Sequence, residues 1–203
     1  NLATLNGYCQ MRHDIEPIEG YYLEFRLRRY LTFAEFKSEL APHFGLGLEG
    51  YATWTSPIRK YSDMVNHRLI KAVLTQQACN KPQDEVLARL QEARRQNRLV
   101  ERDIADWLYC RYLADKVAEN AEFDAEVQDV MRGGLRVQLL ENGASMFVPA
   151  STLHPNKDEM QVNADELALY IQGERRYKIG DLVKVKLTEV KEATRSIIGQ
   201  LII

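Results

Sequence analysis

The stretch Thr55-Ser-Pro-Ile-Arg-Lys-Tyr-Ser-Asp63 gathers the residue types that hold a phosphate. Ser56 before Pro57 reads as a helix start, with serine as cap and proline at the first helical position. Backbone N–H groups at such a start lack partners within the helix and attract anions. Ser56 adds a hydroxyl, and Arg59 adds a planar, permanently charged fork that matches two phosphate oxygens. Lys60 adds a second positive charge. Two cations in a first turn oppose the helix dipole, so the pattern makes sense where an anion offsets that cost. An equally weighted alternative is an ordinary Ser-Pro helix start whose Arg59 pairs with Asp63, four residues on.

A second group lies downstream. Arg94, Arg98 and Arg102 recur every four residues and form a basic stripe, with Asn97 and Glu101 on a neighbouring side. The bland reading of such text is a solvated helix laced with salt bridges. Trp107 offers a ring for base stacking, but its place on an apolar stripe favours a core position. Hard oxygen ligands for a divalent cation need clustered carboxylates. Asp103 and Asp106 are three apart with no matching pair, and Asp158-Glu159 stands alone. The three cysteines, Cys9, Cys79 and Cys110, make neither a zinc pattern nor a disulfide framework. That usage fits a reducing cytoplasm.

These residues need elements to hold them. Tyr21, Leu23, Phe25 and Leu27 alternate with charged residues and read as a strand. Thr32-Phe-Ala-Glu35 has the form of a capping box, with Leu31 and Phe36 as a hydrophobic staple, and predicts a short helix ending before Pro42. Residues 43–55 form a glycine-bearing loop. The Ser56-Pro57 helix carries Tyr61, Met64, Val65, Leu69 and Val73 at helical spacing and fades near Cys79-Asn80. A long helix runs from Pro82 to about Val117, with Val86, Leu90, Asn97, Val100, Ile104, Trp107 and Leu108 on its inner stripe; roughly 35 residues would span about 50 Å. Beyond Asn120 the period falls to two: Phe123, Ala125, Val127; then Leu135, Val137, Leu139 after Gly133-Gly134; then Val183, Val185, Leu187 against Lys184 and Lys186. Arg195–Ile203 is a last β-rich segment. Short strands with turns between them argue a small barrel. The chain is therefore read as α+β, with a mainly helical part over residues 1–119 and a barrel over 120–203.

The segment 43–74, HFGLGLEGYATWTSPIRKYSDMVNHRLIKAVL, resembles the signature of the RNB family of ribonuclease II-type exoribonucleases. Ser56, Pro57, Ile58, Arg59, Lys60, Tyr61, Asp63, His67 and Arg68 all match that signature, and RRQNRLVERDIADWLY over 94–109 is similar as well. The resemblance covers all of the chain but about the last third of a family member. It implies a processive 3′-to-5′ exoribonuclease that hydrolyses single-stranded RNA to nucleoside 5′-monophosphates with magnesium. By matching, Arg59 grips phosphate oxygens near the scissile bond, with Ser56, Lys60 and Arg98 as further phosphate or RNA contacts, and Glu101 sits beside the terminal nucleotide. Asp63 and His67 are assigned to holding the helix in place. The family's magnesium site is an aspartate cluster spaced like Asp-x5-Asp-x-Asp-Asp, and no such cluster occurs in this sequence. The chain alone is therefore expected to bind no magnesium and to be inactive, and to need the upstream part of the same enzyme.

AEVQDVMRGGLRVQLLENGASMFVPASTLHP, with Tyr177–Asp181 before the strand at Val183, resembles an S1 domain, an RNA-binding OB-type barrel. Such barrels stack bases on aromatic rings beside a basic groove. Phe147, His154, Arg132, Arg136, Lys184 and Lys186 are the candidates, with Phe147 equally well placed in the barrel core. Leu135 stands where these domains often show an exposed aromatic. Residues 156–173 read as an insertion without an assignable shape. The net charge of −2 supplies no global basic field, so any RNA site must come from local clustering. No apolar run is long enough to span a bilayer, no signal peptide is visible, and the chain opens at Asn1 without an initiator methionine. The expected protein is a cytoplasmic monomer that binds single-stranded RNA. An RNA-binding module without catalysis is the alternative. A stand-alone RNA-binding protein built on the barrel leaves the Thr55–Asp63 motif unexplained.

Overall fold

The structure, a computed structural model, describes residues 4–15 and 31–202. The strand expected over Tyr21–Leu27 lies outside them. The described chain divides into two compact units, one up to residue 99 and one from residue 100 onward.

In the first unit, helix α1 spans Leu5–Ile15 and α2 spans Tyr61–Leu74. A single 3-10 turn at Phe44–Leu46 is closed by Gly47 in the left-handed region. The capping box at Thr32–Glu35 does not start a helix: residues 31–42 carry no regular secondary structure. This segment is held by tertiary contacts instead. Gln91 Nε2 donates to the Ala34 carbonyl at 3.3 Å, and Lys81 pairs with Glu39 at 2.8 Å. Arg98 and Arg94 lie over the rings of Phe33 and Phe36 at 4.7 and 5.7 Å. A helix of some ten residues is marginal by itself, so such contacts decide its conformation.

Helix α3 spans Asp84–Ala114 and continues as one 3-10 turn at Asp115–Val117, as the periodicity predicts. Its residues 84–99 belong to the first unit and the rest to the second. The inner stripe read from the sequence is not buried as expected. Val86 and Leu90 are half-buried, but Asn97, Val100, Ile104, Trp107 and Leu108 are exposed. Trp107 is thus not a core residue here; Arg111 lies over its ring at 5.1 Å. The side of α3 that is covered carries Cys110 and Leu113, both fully buried in the core of the second unit.

That core belongs to a closed five-stranded barrel in the order β1-β2-β3-β8-β7, with β1 Glu122–Met131, β2 Gly134–Leu139, β3 Ser145–Pro149, β7 Leu182–Lys191 and β8 Ser196–Leu201. Phe123, Ala125 and Val127, then Leu135, Val137 and Leu139, then Val185 and Leu187 point inward, as their alternation predicts. Register shifts at Val127/Asp129 and Leu187/Glu189 interrupt the ladders; such bulges bend strands and help a small sheet to close. The parallel β3–β8 pairing shuts the barrel. Residues 156–173, unassigned from the sequence, contribute β4 (Met160–Asn163) and β5 (Ala168–Ile171), which pair with β6 (Glu174–Lys178) in a separate antiparallel sheet. A short helix α4, Ala150–Leu153, precedes them. Tyr109 ties α3 to the barrel by donating to the Asn142 carbonyl at 3.0 Å, and Asp103 pairs with Arg195 in the β7–β8 turn.

Candidate nucleic-acid interface

The Thr55–Asp63 segment takes a different form from the expected helix start. Ser56–Lys60 is a separate turn, in which the amides of Arg59 and Lys60 both donate to the Ser56 carbonyl at 3.2 and 2.9 Å. Lys60 then extends, and α2 begins at Tyr61 with no side-chain cap. Ser56 is therefore not the cap of α2, and Arg59 is not in its first turn. The reason lies in Asp63. Its carboxylate reaches back and accepts the Ser56 amide at 2.9 Å, so the turn is closed on α2 rather than continued into it. Ser62 donates its hydroxyl to the same carboxylate at 3.2 Å. The hydroxyl of Thr53, then the Ser56 amide, the Ser62 hydroxyl and the Lys60 charge hold the Asp63 carboxyl below the usual carboxylate range, against the opposing effect of burial.

With Asp63 engaged in this way, the alternative of an Arg59–Asp63 pair is not what forms. Arg59 is exposed, and no ion pair to its guanidinium is found among the described residues. Lys60 is exposed beside it, and Ser56 is half-buried. Ile58, which the sequence marks as a signature match without a role, is 99% exposed at the tip of the turn. No periodicity signals such a residue. The segment leading into the turn is stapled to α2. Asn66 donates to the Thr53 carbonyl at 2.7 Å, His67 Nε2 lies 2.9 Å from the Trp54 carbonyl, and the rings of Trp54 and His67 stack 3.6 Å apart. Asp63 and His67 thus have the structural contacts expected of them.

On α3, Glu101 and Arg102 are exposed, and Arg98 is half-buried beneath Phe33. Arg98 and Glu101 lie three residues apart, on one side of the helix. Glu101 and Arg59 belong to different units. Among the described residues no group of three or more His, Cys, Asp or Glu side chains is placed to hold a metal. The donor set that magnesium requires is therefore not offered by them.

On the barrel, Phe147 faces outward between the inward-pointing Met146 and Val148, so it is not a core residue. It stands in register with Arg136 on β2 and Ile198 on β8. Leu135 is fully buried and so does not occupy the exposed position expected of it; its exposed neighbour there is Arg136. Arg132 is exposed in the β1–β2 turn. Lys186 pairs in register with Gln200, two residues along β8 from Ile198. Phe147, Arg136 and Lys186 thus all lie on the outer side of the barrel, with Arg136 directly beside Phe147 and Lys186 two strands away. Lys184 is exposed but engaged by Asp124 at 3.1 Å. His154 is tied locally: the Asn156 amide donates to its Nδ1 at 3.2 Å, and Glu159 lies 3.7 Å from its Nε2.

Comparison with known proteins matches this picture. The RNB domain family matches residues 2–76 and the S1 RNA binding domain family matches residues 116–201. The chain is 87% identical over 202 residues to Exoribonuclease 2 of Haemophilus influenzae (strain 86-028NP), covering all of this chain and 31% of the relative. It is 75% identical over 201 residues to Exoribonuclease 2 of Pasteurella multocida (strain Pm70), covering 99% of this chain and 30% of the relative. The chain thus spans less than a third of these relatives. Among solved structures, the apo form of Mycoplasma genitalium RNase R superimposes with a TM-score of 0.70 at 24% identity over 87% of this chain and 28% of that one. The same protein in complex with ribose methylated single-stranded RNA gives the same values, and both support the fold. The resemblance drawn from the Ser56–Asp63 motif and from the barrel strands is borne out: the helical part matches the RNB domain family, and the barrel after it matches the S1 RNA binding domain family.

Proposed function

We propose that this chain is the C-terminal part of a processive 3′-to-5′ exoribonuclease acting on single-stranded RNA, and that it grips and guides the RNA while the metal chemistry resides upstream. The observation that carries the reading is the closed Ser56–Lys60 turn, which presents Arg59 to solvent within an RNB signature. In this role the Arg59 fork holds non-bridging phosphate oxygens and stabilises the charge that builds on them during cleavage. Lys60 and the Ser56 hydroxyl add to the same anion site, and Glu101 accepts hydrogen bonds from the sugar of the leaving nucleotide. The magnesium of such an enzyme would be held by residues of the upstream region, since the described residues offer no ligand cluster. That region would also cover the uncovered apolar stripe of α3 at Val100, Ile104 and Leu108. The domain division, in this reading, is a catalytic-domain end over 1–119 and an RNA-holding barrel over 120–203.

The barrel holds the strand upstream of the cleaved end, with bases stacked on Phe147 and phosphates near Arg136, Arg132 and Lys186. Titration of the chain with a single-stranded oligonucleotide should show salt-sensitive binding. Phe147→Ala should weaken that binding about tenfold with little change in salt slope, because one stacking platform is lost. Arg136→Ala should weaken it less and flatten the slope by about one unit. No binding even at low salt would remove the barrel from RNA handling.

A further inference from the structure

We infer that Asp63 is a positioning residue for the reaction: from beneath the Ser56–Lys60 turn it sets the direction in which Arg59 leaves the chain, without touching RNA. The inference rests on the reading of Arg59 as the phosphate grip.

Asp63 is fully buried. Burying a carboxylate is costly unless its oxygens are satisfied, and here both are. One oxygen accepts the Ser56 amide at 2.9 Å, and the other accepts the Ser62 hydroxyl at 3.2 Å. Thr53 closes the set through its contact with Ser62 at 3.4 Å. The path from this carboxylate to Arg59 is short and stiff. Ser56 precedes a proline, which restricts its backbone to extended conformations, and Pro57 has its φ locked by its ring. The Ser56 carbonyl then receives the Arg59 and Lys60 amides. Few free torsions therefore separate the fixed Ser56 amide from the Arg59 backbone. A helix cap alone does not require this arrangement. Asp63 lies in the first turn of α2, yet it spends its strong, charge-assisted bond on the amide of Ser56, five residues before the helix begins. What that bond stabilises is the turn.

Ile58 and Arg59 project from the turn, and Ile58 is 99% exposed. Nothing among the described residues holds the Arg59 side chain from the solvent side. Its aim thus depends on the backbone, and the backbone depends on Asp63. A misplacement of about 1 Å at a reacting group can cost about a hundredfold in rate.

The test is a double-mutant cycle in the full-length enzyme, reading kcat, KM and thermal unfolding for Asp63→Asn, Arg59→Ala and the double variant. Asp63→Asn should lower kcat about 10- to 100-fold, as loss of an orienting partner typically does, with KM changed by no more than about threefold. The double variant should be no slower than Arg59→Ala within about twofold, because residues acting as a unit are non-additive. Multiplying effects, or an unchanged kcat in Asp63→Asn, would overturn the inference and leave Arg59 intact as the grip. An unchanged kcat in Arg59→Ala would overturn the grip itself, and the inference with it. Ser62→Ala is the milder second variant should Asp63→Asn unfold. It should lower kcat a few-fold alone and not at all in the Arg59→Ala background; a loss that persists there, or none in either background, contradicts the inference.

Discussion

Arg59→Ala in the full-length enzyme is expected to depress kcat by about 10²–10³, the range seen when one preorganised donor to a developing oxyanion is removed. RNA affinity should change by less than about threefold, because the barrel and the other phosphate contacts supply most of the binding. The asymmetry follows from where Arg59 stands. Its guanidinium is exposed and lacks an ion pair among the described residues, so removing it leaves no buried charge behind and little folding energy is at stake. What is lost is a planar fork at one phosphate. Arg59→Lys should restore only part of the rate, since an ammonium supplies the charge without the two parallel donors. Single-turnover kinetics with matched binding titrations separate the two quantities. A large loss of affinity with normal turnover would move Arg59 from the scissile phosphate to general RNA binding.

Gly134→Ala should be the most damaging small substitution in the barrel. Gly134 has φ near +142°, a region closed to other residues, and a Cβ there would lie 2.0 Å from the Val148 carbonyl oxygen and 2.9 Å from the Ala150 amide nitrogen. Both are backbone atoms at the β2–β3 ladder and the α4 start, so neither can swing away. Strain and overlap together should cost about 4 kcal/mol or more, a large part of the stability of a domain this size. Gly133→Ala is the internal control. Its Cβ would meet only the Phe147 ring edge at 3.8 Å, an ordinary contact. Its cost should stay below about 1 kcal/mol. Urea unfolding of the two variants measures the difference, and equal midpoints would contradict the account of the barrel closure.

The barrel was legible because its strands obey one simple rule. With one side buried, Phe123 to Val127, Leu135 to Leu139 and Val185 to Leu187 must alternate, and they do. The length of α3 was legible for the same reason, but its covered side was not. Its apolar stripe predicts a core, whereas the buried residues are Cys110 and Leu113, because periodicity shows that a side is apolar and not whether a partner is present. Local signals failed where tertiary contacts compete with them. Thr32–Glu35 has a complete capping box, yet the segment carries no regular structure and is held by Gln91, Lys81, Arg94 and Arg98. Ser56-Pro57 looks like a helix start, yet Asp63 takes the Ser56 amide and makes a turn of it. The candidate site was legible mainly as a motif. The outward direction of Phe147 and its pairing with Arg136 needed the strand register, which no single strand contains.

The central proposal is that this chain handles RNA and presents a phosphate grip, while its described residues offer no cluster to hold a catalytic metal. The most direct measurement follows one sample two ways: the 203-residue chain, single-stranded RNA and magnesium, with fluorescence anisotropy for binding and chromatography for released nucleoside 5′-monophosphates. Salt-sensitive binding with no release is the result predicted here. Release of monophosphates by the chain, abolished by Arg59→Ala so that contamination is excluded, would contradict it.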